Sequence, residues 1–155
     1  MNQEIPIMTT QEMTNFINNG YWVIKAHTND EDFERELNYI KKDKSIGICF
    51  GIQKQLSSNP SDDEIKKASQ YLNSPTKQTS RNMVKQFITK LNIDDKVIIG
   101  KGARQSLFAC NITSTPYYEE NEQNSYKTRR RIKNLKRIPE EFTRPYLQQT
   151  IRYYK

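Results

Sequence analysis

The sequence has 155 residues, 34% of them hydrophobic, and a mean hydropathy of -0.93, which predicts one small folded domain with a very polar surface. No apolar run approaches the roughly 20 residues that cross a bilayer, and the N-terminus lacks a signal-peptide pattern, so we expect an intracellular protein, cytoplasmic or nuclear, that does not bind membranes. Residues 127–155 carry ten Lys or Arg against two Glu, a local charge of +8 within a total of +7. Such a basic region attracts polyanions, of which nucleic acid is the commonest.

The first half of the chain predicts an N-terminal arm over residues 1–20, followed by a single domain over residues 21–155. The arm ends in an Asn-Asn-Gly turn. Tyr21–His27 is rich in β-branched and aromatic residues and predicts a strand, which contains the only Trp and the only His of the chain. Phe33, Leu37 and Ile40 then recur at helical spacing and predict a helix with one apolar stripe.

The next segment contains two glycines among apolar residues. Ser45–Gly51 predicts a strand at a point where another group approaches the backbone closely. Ser61 and Glu64 have the spacing of a capping box and predict the start of a second helix. A third helix is predicted from about Ser80 to Lys90. Its apolar stripe is expected in the core and consists of Met83, Val84, Phe87, Ile88 and Leu91.

The second half of the chain is strand-like. Lys96–Gly100 and Leu107–Thr113 are two apolar runs joined by a short glycine-containing connection, which predicts a hairpin. After an acidic loop, Tyr126–Ile138 predicts a basic strand with a charged outer face and with Ile132 and Leu135 as its interior residues. The final segment, Tyr146–Tyr154, could close the sheet or form a short helix, and its β-branched and aromatic ending favours the strand-like close.

The sequence offers little support for catalysis. Cys49 and Cys110 lie in apolar runs and favour buried thiols in a reducing compartment over a disulfide. There is no metal-ligand spacing, no glycine loop that cradles phosphate and no convincing nucleophile-base pair. We therefore expect a protein that is not an enzyme and that uses no metal or cofactor.

With its elements in this order, the chain resembles the PUA-like superfamily, and within it the EVE and YTH types of domain. Trp22–Ala26 is similar to the opening strand of EVE-like modules in modification-dependent restriction systems, and its continuation to Asp32 is similar to the first strand and helix start of YTH domains. Ile46–Gly51 resembles the second strand of the restriction-associated group. Shorter similarities lie at Asp95–Ile99, Leu107–Thr113, Tyr117-Tyr118, Arg130–Ile132 and Gln149–Ile151.

The resemblance implies a mixed β pseudo-barrel flanked by about three helices, of α+β class, with a pocket for a single flipped or unpaired base. Bases are held by stacking on aromatic rings and by hydrogen bonds to their edges, while cations neutralise the flanking phosphates. The candidate stacking residues are Trp22, Phe50, Tyr117 and Tyr118. The candidate edge-reading residues are Lys25, His27, Asn29, Ser80 and Asn82. The candidate phosphate-binding residues are Arg104, Arg129, Arg130, Arg131 and Lys133.

The leading functional expectation is a non-enzymatic module that binds DNA or RNA and accommodates one base, including a methylated base. Restriction-type relatives fuse such a domain to a nuclease or NTPase motor, for which this chain has no space, so a stand-alone reader is expected. The alternative is a basic interaction module that docks on an acidic protein partner without base recognition. The Lys-rich, Asn-rich and Gly-poor composition suggests an AT-rich genome, such as that of a virus or mobile element.

Overall fold

The computed structural model describes residues 5–26, 30–101, 105–120, 126–140, 142 and 151–155. This part of the chain forms four α-helices and seven strands, which confirms the predicted α+β class. None of these helices is both long enough and apolar enough to cross a membrane. The elements are α1 (Thr10–Ile17), β1 (Tyr21–Ala26), α2 (Asp30–Asn38), β2 (Ser45–Ile48), α3 (Asp62–Ala68), α4 (Gln78–Lys85), β3 (Lys96–Lys101), β4 (Gln105–Ile112), β5 (Tyr117–Tyr118), β6 (Thr128–Arg137) and β7 (Ile151–Tyr154).

The seven strands form one sheet that curls into a half-barrel. The strand order is β2-β6-β4-β3-β1-β7, and β5 adds to β6. The pairing of β1 with β3 is parallel, and the other pairings are antiparallel. The antiparallel pairing of β3 with β4 confirms the predicted hairpin. The pairing of β7 with β1 confirms the strand-like close for Ile151–Tyr154, while residues 146–150 of the predicted segment lie outside the described residues.

The two faces of the sheet bury two separate hydrophobic clusters. Successive residues of a strand point to opposite faces, so Trp22 and Ile24 of β1 enter the larger cluster while Tyr21 and Val23 enter the smaller one. The larger cluster takes the apolar faces of α3 and α4. The apolar stripe of the third predicted helix is buried throughout, which confirms its assignment to the core.

Residues 10–17 of the predicted N-terminal arm, to which the sequence assigned no role, form helix α1. The hydroxyl of Thr9 accepts a hydrogen bond from the Glu12 amide at 3.0 Å, and the Glu12 carboxylate accepts one from the Thr9 amide at 3.0 Å. This capping box starts the helix, and Met13 and Phe16 attach it to the smaller cluster. The spacing of Thr9 and Glu12 is the sequence signal from which this helix could have been predicted.

Strand β6 contains a bulge that reconciles its irregular pattern with a buried face. Ile132 and Leu135 are both buried although they are three residues apart, a spacing that would normally place them on opposite faces. Asn134 has a φ of 58°, and the register with β4 shifts at this point. The extra residue rotates the strand, so both predicted interior residues reach the core.

Candidate nucleic-acid interface

The structure places Trp22 in the core, where its ring is unavailable to a base. The side chain belongs to the larger cluster and is 7% exposed. Its Nε1 donates to Oδ2 of Asp95 at 3.1 Å, and its ring centre lies 5.2 Å from that of Tyr153. This corrects the assignment of Trp22 as a stacking residue, because β1 lies inside the sheet with its Trp22 face covered by packed helices.

The three consecutive arginines of β6 have separate environments, and the first two are internal. Arg129 is 1% exposed. Its Nη2 donates to Glu36 Oε1 at 2.9 Å, its Nη1 donates to Glu36 Oε2 at 3.0 Å, and its Nε donates to the hydroxyl of Ser45 at 3.0 Å. The Arg129 guanidinium also lies 4.8 Å from the ring centre of Tyr39. It therefore joins α2 to β2 from the inside.

Arg130 is also buried, on the opposite face of β6. Its Nη1 donates to the carbonyl of Phe87 at 2.6 Å, near the end of the helical segment that continues α4, and its Nε donates to the carbonyl of Ser114 at 2.8 Å. Cations stabilise such helix ends. Burial lowers the pKa of Arg130 to about 10, so the group stays charged at neutral pH. The expectation that Arg129 and Arg130 bind phosphate is therefore corrected, since both guanidinium groups are used within the fold.

The glycine-marked strand β2 shows the predicted close approach. A Cβ on Gly47 would lie 2.5 Å from Nη1 of Arg129 and 2.9 Å from the carbonyl oxygen of Tyr126. The Gly47 amide donates to the Glu36 carboxylate at 3.1 Å. The group that approaches the backbone is thus a buried arginine of the same chain.

Arg131 is exposed and stacks on an aromatic ring. Its guanidinium carbon lies 5.0 Å from the centre of the Tyr117 ring, and its Nη1 donates to the carbonyl of Asp43 at 3.2 Å. The structure therefore brings together two predicted site residues, one from each of the paired strands β5 and β6. Lys133 is also exposed, but it forms a salt bridge with Asp94 at 2.6 Å.

Three exposed lysines lie on the turn between α2 and β2, whose Asp43 carbonyl accepts the hydrogen bond from Arg131. The helical segment Tyr39–Asp43 ends at Lys44, whose φ is 52°. The carbonyl of Lys44 accepts a hydrogen bond from the Ile132 amide at 2.8 Å, so the turn is attached directly to β6. No salt bridge joins these lysines to a carboxylate within the described part of the chain. We call Lys41, Lys42, Lys44, Arg131 and Tyr117 the basic patch.

Arg131 is the one cation of this surface that the sequence predicted, and the three lysines were missed. In the sequence, the Lys-Lys-Asp-Lys run of residues 41–44 is sufficiently explained as cations beside the terminal carbonyls of a helix. The pairing of β2 with β6 brings this run next to Arg131. Because that pairing joins segments more than 80 residues apart, the local pattern carried no sign of it.

The other predicted site residues are spread over several elements. Phe50 is half-buried with a φ of 48°, and its carbonyl accepts from the Ser69 hydroxyl at 2.6 Å. On α4, Ser80 is half-buried and Asn82 is exposed. The side-chain Oδ1 of Asn82 accepts a hydrogen bond from Gln78 Nε2 at 3.0 Å. Tyr118 is half-buried, and burial together with the Glu120 charge raises its pKa. Lys25 is half-buried, which lowers its pKa. His27, Asn29 and Arg104 lie outside the described residues.

A groove of about 910 Å³ lies next to the basic patch. It is bounded by α2, the segment before α1, the first residues of β4 and the end of β6. Lys41 lines this groove as well as belonging to the basic patch. None of the described residues predicted for the base pocket is among those that line it.

The fold and this surface define a mixed α+β protein with a curled sheet and an exposed patch of cations beside an aromatic ring. Residues 22–151 match the model of a family described as a domain of unknown function, DUF8426, and the chain belongs to that family. The match begins at Trp22 in β1 and ends at Ile151, the first residue of β7, so α1 lies before it. Neither a comparison with curated proteins nor one with solved structures returned a significant match.

Proposed function

We propose that this protein is a non-enzymatic nucleic-acid-binding module whose basic patch contacts the phosphate backbone of DNA or RNA. The observation that carries the proposal is the stacking of exposed Arg131 on Tyr117, directly beside a turn with three exposed lysines. The half-barrel sheet supports the proposal, because the resemblance to EVE and YTH domains of the PUA-like superfamily implies such an architecture. A nucleic-acid partner also agrees with the expected intracellular location of the protein.

Each side chain of the basic patch suits this role. Lysines without carboxylate partners release counterions when they neutralise phosphates, which drives association. The planar guanidinium of Arg131 can donate two parallel hydrogen bonds to one phosphate, and its exposed plane can also stack on an unpaired base. The ring of Tyr117 packs against one face of this guanidinium and fixes its orientation. Lys133 is expected to contribute less, because Asp94 already neutralises it.

The test is a fluorescence anisotropy titration of the full chain against labelled single-stranded and duplex DNA and RNA. Each strand is used with and without methylated adenine or cytosine, so the same titration shows whether a modified base is preferred. Polyglutamate serves as the acidic polypeptide probe. We expect oligonucleotides to bind more tightly than polyglutamate of equal charge, and Arg131→Gln to weaken oligonucleotide binding several-fold. Stronger binding of polyglutamate, or no binding of any oligonucleotide, would contradict the proposal.

A further inference from the structure

The groove beside the basic patch has mainly apolar walls with an aromatic component. Phe33 of α2 and Phe108 of β4 form part of it, and half-buried Phe142 lies after the end of β6. Leu37 and Met8 add aliphatic surface. Such walls favour a flat apolar group, because aromatic rings contribute both buried area and stacking.

One buried polar atom in the groove lacks a partner. The hydroxyl oxygen of Ser106, at the start of β4, is buried and forms no hydrogen bond with the residues that the structure describes. Buried polar atoms are nearly always hydrogen-bonded, so an exception needs an explanation. A hydroxyl can donate and accept, which suits the nitrogen-containing edge of a heterocycle. An acyl chain would leave it unsatisfied.

Two cations also line the groove. Lys41 is exposed and belongs to the basic patch. Arg137 is exposed, and its Nε donates to the carbonyl of Ile5 at 3.3 Å, while its Nη atoms form no hydrogen bond with the described residues. Among the lining residues that the structure describes, Glu140 is the one carboxylate, so the two cations outnumber it and favour an anionic ligand.

We propose that this groove binds one nucleotide, with its base against the phenylalanine side chains and its phosphate at Lys41 or Arg137. The base edge would hydrogen-bond to the Ser106 hydroxyl. The nucleotide could be free or part of a bound strand, and the second case rests on the proposed function because Lys41 connects the groove to the basic patch. The site is separate from the pocket residues that the family resemblance implied.

Methionine methyl NMR of the full chain provides a direct test. Met8 lines the groove, whereas Met83 is similarly buried in the larger cluster and serves as the internal control. The probes are AMP, GMP, CMP and UMP, with adenosine, inorganic phosphate and decanoate as comparison ligands. We expect at least one monophosphate to shift the Met8 methyl signal saturably without moving that of Met83, and to bind more tightly than adenosine or phosphate alone.

Two variants separate binding from folding. Leu37→Trp fills the groove and should abolish the Met8 shift, and Ser106→Ala, which removes only the hydroxyl, should weaken monophosphate binding several-fold. Circular dichroism and thermal melting check that both variants fold. Three results would overturn the groove assignment: no Met8 shift with any monophosphate at millimolar concentration, an unchanged shift in Leu37→Trp, or tighter binding of decanoate than of every nucleotide.

Single-stranded oligonucleotides with a central base or a central abasic site distinguish the two sources of the nucleotide. If the groove holds a base of the strand, wild type prefers the base-containing strand and Leu37→Trp loses that preference. If monophosphates shift Met8 but no oligonucleotide binds, the groove is a site for free nucleotides and the proposed function fails. If oligonucleotides bind but neither monophosphates nor the central base affects Met8, the groove assignment fails while the proposed function stands.

Discussion

Glu36 of α2 and Arg129 of β6 form a doubly hydrogen-bonded ion pair in the interior, with N–O distances of 2.9 and 3.0 Å. Each residue is 1% exposed. The Glu36 carboxylate also accepts a hydrogen bond from the Gly47 amide. This bond satisfies a backbone amide of β2 on the edge that does not pair with β6. Arg129 lies in a run of basic residues that predicted a charged surface, yet it joins helix α2 to β2 at the edge of the sheet.

Breaking this pair should destabilise the fold strongly. Removal of one partner leaves the other charge buried without compensation, which typically costs about 3 to 5 kcal/mol. We therefore expect Glu36→Gln and Arg129→Met each to lower the free energy of unfolding by about this amount in urea titrations. Glu34→Gln, at an exposed position of the same helix, is the matched control and should change stability little. A loss below about 1 kcal/mol in both buried variants would contradict the assignment.

Trp22→Phe should reduce stability without affecting nucleic-acid binding. The substitution removes the hydrogen bond to Asp95 and leaves unfilled volume in the larger cluster, which costs about 1 to 3 kcal/mol. Urea titration measures the loss, and anisotropy with a labelled single strand measures binding at a temperature where the variant is folded. If Trp22→Phe keeps wild-type stability but loses binding, Trp22 is a base-stacking residue after all.

The Glu12 carboxylate should make part of the stability depend on acid pH. Its pKa falls from 4.5 to about 2, because it accepts hydrogen bonds from Lys136 and from the Thr9 amide. A pKa that is lower in the folded state stabilises the fold above the unfolded pKa, and this contribution disappears as the pH falls through the folded pKa. Stability should therefore drop between about pH 4.5 and pH 2.

Glu12→Gln tests this origin of the acid sensitivity. The variant should be less stable than wild type at pH 6, and the difference should shrink at pH 2.5, as measured by urea unfolding midpoints. Glu34→Gln again provides an exposed control. An equal difference at both pH values would show that the charge of Glu12 is not responsible.

The two cysteines should differ in reactivity towards a thiol reagent. Both are free; Cys110 is fully buried and Cys49 is half-buried. Burial raises the pKa of the Cys110 thiol, which keeps it protonated and slow to react. We expect one thiol to react with Ellman's reagent under native conditions and two in denaturant, with Cys49→Ser removing the native reaction. Fast native reaction of that variant would contradict the burial of Cys110.

The sequence predicted the elements whose evidence is local. The α4 stripe and the β3–β4 hairpin follow from the spacing of apolar and turn residues, and both are observed. Ile132 and Leu135 were predicted inside β6 because they are the apolar residues between its cations, and both are buried. Glycine among apolar residues also identified the crowded backbone at Gly47. These features depend on residues close together in the chain, so their patterns can be recognised without knowing the fold.

Such local patterns did not predict which charged side chains are buried and which are exposed. All three consecutive arginines were predicted to bind phosphate, yet Glu36 pairs with Arg129 from 93 residues away and backbone carbonyls accept hydrogen bonds from Arg130. The lysines of the basic patch lie at the end of a helix, where their interaction with the terminal carbonyls is sufficient to explain them. Which cations are internal and which form a surface is decided by strand pairing across the chain, and a single sequence does not reveal that pairing.

The most direct test of the central claim is the salt dependence of binding to a labelled single strand for two double variants. Lys42→Gln/Lys44→Gln removes two charges of the basic patch, and Lys54→Gln/Lys67→Gln removes two exposed charges elsewhere. Each phosphate contact contributes about 0.7 to the slope of log K against log salt for single strands. We expect the first variant to lose about 1.4 from the slope and the second to match wild type. Equal slopes in all three proteins, or an equal loss in both variants, would contradict a nucleic-acid contact at the basic patch.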